Sequence, residues 1–119
     1  MANEVSYFEI IGKDPEKLQK FYGGLFDWKI NVIPDIDGYG MIETEGVEGS
    51  IGAIGGTMTP GEPTGNRLYV GVPDPQAVLD KVVELGGKVI MPVTEIPDMV
   101  VFALYADPEG NINGIYKKD

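Results

Sequence analysis

An internal repeat is the feature that most constrains the fold of this 119-residue chain. Asp14-Pro15 and Asp74-Pro75 each open an apolar periodic segment. The offset between them also relates three further apolar pairs, which are Leu18 and Val78, Leu25 and Leu85, and Ile30 and Ile90. A repeat of this size is one supersecondary unit used twice. Because such a unit cannot bury its apolar face alone, we expect the copies to pack on each other or on a partner chain, with any shared site between them.

Each copy is predicted to fold as β-α-β-β-β. Asp14 is predicted to cap a helix with one apolar stripe, formed by Leu18, Phe21, Tyr22, Leu25 and Phe26. Asp74 is predicted to cap a second helix that Gly86-Gly87 ends, with its apolar residues facing inward: Val78, Leu79, Val82, Val83 and Leu85.

Runs of β-branched and aromatic residues predict the strands. They lie at 5–11, 28–33, 39–44, 67–72, 88–91, 99–105 and 111–116, with a further extended segment that includes Gly49, Gly52, Gly55 and Gly56. No helix pattern follows these glycines, so they indicate a strand that allows close backbone approach rather than a phosphate loop. Asp35 to Gly38 is interpreted as a turn rather than a calcium loop, because the twelfth position is Gly46 instead of Glu. The expected organisation is one domain over 1–119, with modules at 1–58 and 67–119 and a turn-rich linker at 59–66.

Composition limits the possible functions. Nineteen acidic and nine basic residues give a net charge of −10, which disfavours nucleic acid as a partner. No apolar run approaches the roughly 18 residues of a membrane span, and the sequence opens without a signal-peptide pattern, so a cytoplasmic protein without membrane contact is expected. Histidine and cysteine are absent. Any chemistry would therefore depend on Asp, Glu, Tyr, Lys or a borrowed cofactor.

Polar and aromatic side chains alternate along the leading strand of each copy. The period of two places Tyr7 and Glu9, and by the repeat Arg67 and Tyr69, on the face turned away from the helices. A solvated sheet face and the wall of a binding groove both fit this pattern.

Several motifs in order resemble the vicinal oxygen chelate superfamily, which includes glyoxalase I, extradiol dioxygenases, and bleomycin- and fosfomycin-resistance proteins. The similarity covers nearly the whole chain. The motifs that carry it are Phe8-Glu9-Ile10, Asp14-Pro15-Glu16 to Phe21-Tyr22, Leu25-Phe26-Asp27-Trp28-Lys29-Ile30, Leu85-Gly86-Gly87-Lys88-Val89, Met91-Pro92-Val93-Thr94-Glu95-Ile96-Pro97 and Ala106-Asp107-Pro108-Glu109-Gly110-Asn111.

The resemblance implies an α+β fold of two tandem βαβββ modules, whose curved mixed sheets form a groove that a homodimer often completes. In metal-dependent members each module gives a His on its first strand and a Glu, His or Gln on its last. The corresponding residues here are Tyr7, Arg67, Gly114 and a residue near Ile54. None of these is an ordinary metal ligand. We therefore expect neither a metal nor another cofactor, and no metal-dependent glyoxalase or dioxygenase activity.

Three functions remain open. The first is a metal-free groove that binds a small molecule, with these ligand-binding residues: Tyr7, Glu9, Arg67, Tyr69, Tyr105 and Tyr116. The second is a metal-independent lyase or isomerase of the lactoylglutathione-lyase-like group, in which Tyr7, Glu9 or Glu43 acts as acid or base and Arg67 polarises a carbonyl or enolate. The third is a dimeric interaction protein without a ligand. Arg67 could also serve as a structural counter-ion of Glu9 or another carboxylate.

Overall fold

The computed structural model describes residues 2–34, 36, 38–44, 46, 49–58 and 60–118. Its elements follow the order β1 (Val5–Gly12), α1 (Pro15–Phe26), β2 (Lys29–Val32), β3 (Gly40–Glu43), β4 (Gly52–Gly56), β5 (Gly65–Val72), α2 (Pro75–Glu84), β6 (Lys88–Ile96), β7 (Val100–Ala106) and β8 (Ile112–Lys117). The order β-α-β-β-β thus occurs twice, and the predicted α+β class is confirmed. In the described part of the chain, neither helix has the length and apolar character needed to cross a bilayer.

The chain forms two compact units. The N-terminal unit is Tyr7–Arg67, and the C-terminal unit contains the described residues of Met1–Ser6 and Leu68–Asp119. In the N-terminal unit the strand order is β2-β3-β4-β1, and in the C-terminal unit it is β5-β8-β7-β6. The pairs β1–β4 and β5–β8 are parallel, and the other pairs within each unit are antiparallel. Each unit therefore contains both parallel and antiparallel strand pairs.

The pairs β1–β4 and β5–β8 differ in register by one residue. Glu9 of β1 lies opposite Ala53 of β4, whereas Tyr69, the counterpart of Glu9 in the sequence repeat, lies opposite Gly114 of β8. Ala53 and Gly114 thus occupy equivalent positions in the two units. The sequence repeat alone would instead make Ile54 the counterpart of Gly114. The position that the sequence placed near Ile54 is therefore held by Ala53.

Helix α1 starts as predicted but presents a different face. The Asp14 carboxylate accepts a hydrogen bond from the Lys17 N–H at 3.2 Å, and Pro15 occupies the first turn. The buried residue of the helix is Gln19, whose amide donates to the Gly38 and Ile54 carbonyls at 2.9 Å each. Most of the apolar stripe is exposed, since more than half of the surface of three members is accessible: Phe21, Leu25 and Phe26.

Helix α2 buries less of its apolar face than the sequence predicts. Leu79 is buried in a cluster with three strand residues, Val72, Ala103 and Ile115, and Val78 packs against it. Val83 and Leu85 are 58% and 69% exposed, so the prediction that they face inward is wrong. The physical reason is the length of the helix. Only its middle reaches the buried cluster, while Val83 in the last turn and Leu85 beyond it lie outside.

Strand β6 is longer than the sequence predicts. It continues from Met91 to Ile96 through Pro92, which removes a backbone donor from the strand. The ladder to β7 accommodates the proline because its register shifts between Met91 and Thr94. The predicted turn at 34–38 and linker at 59–66 are seen only in part, because Asp35, Asp37 and Thr59 lie outside the described residues.

Candidate functional site

A cavity of about 280 Å³ lies in the N-terminal unit. Two charged side chains, a phenol and several apolar groups line it: Glu9, Arg67, Tyr39, Ile11, Ile36, Met58, Thr57 and Gly56. Glu9 is only 6% exposed and Arg67 only 3%. Buried charges of this kind are rare unless they are paired or functional, so the cavity is the candidate site.

Strand β1 separates the cavity from helix α1. Glu9 and Ile11 line the cavity. An added Cβ at Gly12 would lie 2.3 Å from Leu18 Cδ1 of the helix. Because successive residues of a strand point to opposite faces, β1 carries the helix on one face and the cavity on the other.

A chain of hydroxyl groups leads to the Glu9 carboxylate. The Tyr39 hydroxyl donates to Glu9 Oε2 at 2.6 Å, and the Tyr7 hydroxyl lies 3.0 Å from the Tyr39 oxygen. Since the Tyr39 proton is directed at Glu9, Tyr7 acts as the donor to Tyr39. Burial raises the pKa of Tyr39, and the charge of Glu9 raises that pKa further. Burial also raises the pKa of Tyr7. Both phenols therefore stay neutral near pH 7 and keep their protons for these bonds.

Arg67 is held by a carboxylate that the sequence did not single out. Its Nη2 atom forms an ion pair with Glu62 Oε2 and donates to the Pro63 carbonyl at 3.3 Å. The other Glu62 oxygen, Oε1, accepts from the Met58 N–H at 3.0 Å. The side chains of Arg67 and Glu62 are 4% and 2% exposed. The counter-ion role considered for Arg67 is therefore present, with Glu62 as a partner.

The structure places the six candidate ligand-binding residues in two groups. Glu9 and Arg67 line the cavity, and Tyr7 is one hydrogen bond behind it through Tyr39. The other three belong to the C-terminal unit. Tyr69 lies over Gly114, Tyr105 packs against the buried cluster that contains Leu79, and the Tyr116 hydroxyl is hydrogen bonded to the Ser6 hydroxyl. Glu43, the other candidate acid or base, pairs with Lys29 in the β2–β3 ladder and is not a lining residue.

Sequence reasoning missed Tyr39, Ile36 and Met58, which also line the cavity. Ile36 and Tyr39 come from the segment between β2 and β3, and Met58 follows β4. Segments outside strands and helices have no periodicity that predicts which side chains turn inward. The one available signal in the sequence was Tyr39, an aromatic residue next to the predicted turn at Gly38.

Acidic side chains are not grouped as a metal site in the described residues. No set of three or more Asp or Glu side chains there is placed to hold an ion, in a chain that has neither His nor Cys. The four positions that correspond to family ligands carry Tyr7, Ala53, Arg67 and Gly114.

Comparison with known proteins identifies the family. The family model described as "Glyoxalase-like domain" matches residues 9–113. A Mycobacterium bovis protein named "Putative glyoxylase CFP32" is 34% identical over 87% of this chain, and the chain spans 41% of that relative's length. A "Glyoxylase-like domain-containing protein" of Didymella fabae is 29% identical, over 97% of this chain and 94% of its own.

Solved structures have the same fold. A crystal structure from Vibrio splendidus, titled as a glyoxalase/bleomycin resistance protein/dioxygenase superfamily member, aligns with a TM-score of 0.63 at 12% identity, over 98% of this chain and 100% of its own. The fold predicted from the sequence is thus confirmed, and the family model confirms the resemblance to glyoxalase-like proteins. On the match over residues 9–113, this chain belongs to the glyoxalase-like domain family.

Proposed function

We propose that this protein binds a small molecule in the cavity lined by Glu9, Tyr39 and Arg67. The observation that carries the proposal is the convergence of two nearly buried charged side chains and a phenol on one cavity of about 280 Å³. Ligand sites are typically concave and mostly apolar, with a few placed polar groups, and range upward from about 300 Å³. This volume suits a small metabolite.

Each lining group has a defined capacity toward such a ligand. The Arg67 guanidinium donates charge-assisted hydrogen bonds to a carboxylate or carbonyl oxygen. Glu9 accepts a hydrogen bond from a ligand hydroxyl or amine. Ile11, Ile36 and Met58 provide apolar contact for the ligand's carbon atoms.

We further propose that the cavity works without the divalent ion of metal-dependent relatives. A metal site needs about three or four donors within roughly 2.0–2.3 Å. Ala53 and Gly114 have no donor atom, and Arg67 is a cation. A side chain at 114 would also meet Tyr69, because an added Cβ there lies 2.2 Å from Tyr69 Cε2. The residues at these positions therefore do not fit the ion.

A second candidate function is a metal-independent lyase or isomerase. It is supported by the position of Glu9, a nearly buried carboxylate at the cavity wall that is held by the Tyr39 hydroxyl. In this function the Glu9 carboxylate takes a proton from a carbon next to a carbonyl group, and Arg67 stabilises the resulting enolate oxygen. Exchange of that carbon-bound proton in D₂O, followed by NMR, tests the step. Exchange that persists in Glu9→Gln would rule out Glu9 as the base.

A thermal-shift screen of small metabolites tests binding. Arg67→Ala should weaken the binding of an anionic or carbonyl-bearing ligand roughly tenfold to a hundredfold, because it removes a charged hydrogen bond worth about 1.5–3 kcal/mol. Tyr7→Phe serves as the second variant, since the Tyr7 hydroxyl is hydrogen bonded to the Tyr39 hydroxyl at the cavity wall. Unchanged affinity in both variants would remove these residues from the site. If no metabolite of any charge binds, the proposal itself fails.

We also propose that the protein is a cytoplasmic homodimer, with strand β6 covered by the second chain. Val89, Ile90 and Val93 on this strand are 36–41% exposed, and β6 is the last strand of its unit's sheet order. A long apolar strand at a sheet edge is a typical surface for association with another chain.

A further inference from the structure

One acidic side chain turns inward from an otherwise exposed segment. Glu62 lies between β4 and β5, where Pro60, Gly61, Pro63 and Thr64 are all exposed. Its own side chain is only 2% exposed. Acidic residues are almost never this buried without a partner, and here the partner is Arg67.

The donors that hold the Glu62 carboxylate belong to two residues that line the cavity. Arg67 lines the cavity, and its Nη2 atom is the atom that pairs with Glu62. Met58, another lining residue, donates its N–H to the second Glu62 oxygen at 3.0 Å. An arginine nitrogen and a backbone N–H together form a common pair of carboxylate donors. This pair would hold the carboxylate of a free ligand in the same way.

Two glycines with positive φ angles lie close to Glu62 in this segment. Gly61 and Gly65 have φ angles of +79° and +133°, in the region that glycine adopts at little cost. An added Cβ would meet no atom within 4 Å at either residue, so there is open space beside each glycine. Gly61 lies outside the strands and Gly65 is the first residue of β5, so rotation at these two residues would withdraw the carboxylate without moving the rest of the strand.

We propose that Glu62 is an internal stand-in for a ligand carboxylate, and that the natural ligand is a small carboxylate that binds by displacing Glu62 from Arg67 and the Met58 N–H. This inference rests on the proposed function and specifies its ligand class. The exchange replaces one carboxylate by another, so Arg67 stays paired and no charge is left buried alone. The released Glu62 is rehydrated. A ligand with only a neutral carbonyl oxygen competes less well for these donors, because a carboxylate accepts stronger hydrogen bonds from Arg67.

Matched carboxylates and amides test the proposal by isothermal titration. The probes are acetate, propionate and pyruvate, with acetamide, propionamide and pyruvamide as neutral counterparts. Glu62→Gln should bind at least one of the carboxylates tenfold or more tightly than the wild type does, because the competing anion is gone. Glu84→Gln, an exposed substitution on α2, should bind as the wild type does. Equal or weaker carboxylate binding in Glu62→Gln would overturn the proposal. That result is expected if Glu62 only positions Arg67 and does not compete with the ligand.

Glu62→Asp provides a variant that keeps the charge should Glu62→Gln fail to fold. Its side chain is one methylene shorter, so it should hold Arg67 less well and allow tighter carboxylate binding than the wild type. A loss of affinity in this variant would contradict displacement.

Carbon-13 NMR of the Glu62 side chain in the wild type gives an independent readout. A saturating carboxylate probe should move the Glu62 carboxylate resonance toward that of a solvated glutamate, because the ligand replaces it at Arg67 and at the Met58 N–H. An unshifted resonance would mean that Glu62 stays in place. Binding of the amides but not of the carboxylates, in the wild type and in Glu62→Gln, would overturn this inference and leave the proposed function standing. Absence of binding by all six probes in both proteins would overturn this inference, and the metabolite screen would then test the proposed function by itself.

Discussion

Tyr39 makes the stability of the fold sensitive to alkaline pH. Its phenol has an ordinary pKa of 10.0, and burial raises that pKa in the folded protein. The folded state therefore keeps a proton that the unfolded state loses above pH 10. The stabilisation is complete below pH 10 and declines as the pH rises beyond that value.

Tyr39→Phe should reduce this pH dependence. The unfolding free energy, measured by urea denaturation between pH 9.5 and 11.5, should fall less steeply than in the wild type, by up to about 1.4 kcal/mol per pH unit. Tyr22→Phe on α1 controls for the loss of a phenol elsewhere. A wild-type slope in Tyr39→Phe, or an equal change in Tyr22→Phe, would contradict the role given to Tyr39.

Gly114 has no room for a side chain. Because an added Cβ would lie 2.2 Å from Tyr69 Cε2, Gly114→Ala should destabilise the protein by about 1–3 kcal/mol. Gly24→Ala on α1 is the matched control. No atom lies within 4 Å of its added Cβ, so it should stabilise the protein by about 0.5–1 kcal/mol through helix propensity. Thermal unfolding of both variants checks the prediction, and equal effects at the two positions would contradict it.

The sequence predicted the direction of a side chain where the residue lies on a strand. Alternation along β1 pointed to Glu9, which lines the cavity. Glu62 was not predicted, because it lies outside the strands and no period fixes the direction of a side chain there. Tyr39 opens the strand predicted at 39–44, but β3 starts at Gly40, so alternation along that strand did not identify it. The ion pair between Glu62 and Arg67 joins residues close in sequence, yet it depends on the path of the intervening turn.

At the scale of elements, the exposed surface of β6 predicts association. Light scattering at micromolar concentration should give twice the 12.9 kDa mass of the chain. Val89→Lys combined with Ile90→Lys should shift the particle toward the single-chain mass, because two charges would be buried in the interface. Phe21→Lys combined with Leu25→Lys on α1 is the matched pair and should leave the dimer intact. A wild-type particle with the mass of one chain at every concentration would exclude the dimer.

The helix-capping residues and the internal repeat predicted the helices and the order of the strands well. Asp14-Pro15 and Asp74-Pro75 mark the helix starts, and the strands follow the expected order. Which helix face is buried was less predictable. Gln19, rather than Phe21 or Leu25, is the buried residue of α1, because its amide satisfies two backbone carbonyls that the sequence pattern does not reveal.

At the scale of the whole molecule, the net charge of −10 should make stability depend on salt. Sodium chloride should raise the melting temperature by screening the mutual repulsion of the acidic groups. Magnesium chloride at the same ionic strength should give the same shift.

Zinc, nickel, manganese and iron(II) at stoichiometric amounts should cause no additional rise in the melting temperature. A further rise with one of these ions would show a metal site, since a ligand that binds the native state stabilises it.

The one-residue difference between the β1–β4 and β5–β8 registers bears on how the two halves could be recombined. If both halves descend from one duplicated gene segment, an insertion or deletion has since separated them, and constant numbering no longer identifies equivalent side chains. A symmetric protein designed from two identical halves would have to align Ala53 with Gly114 rather than Ile54 with Gly114. If the halves were aligned by the sequence repeat instead, each side chain copied from β4 onto β8 would point to the opposite face of the sheet.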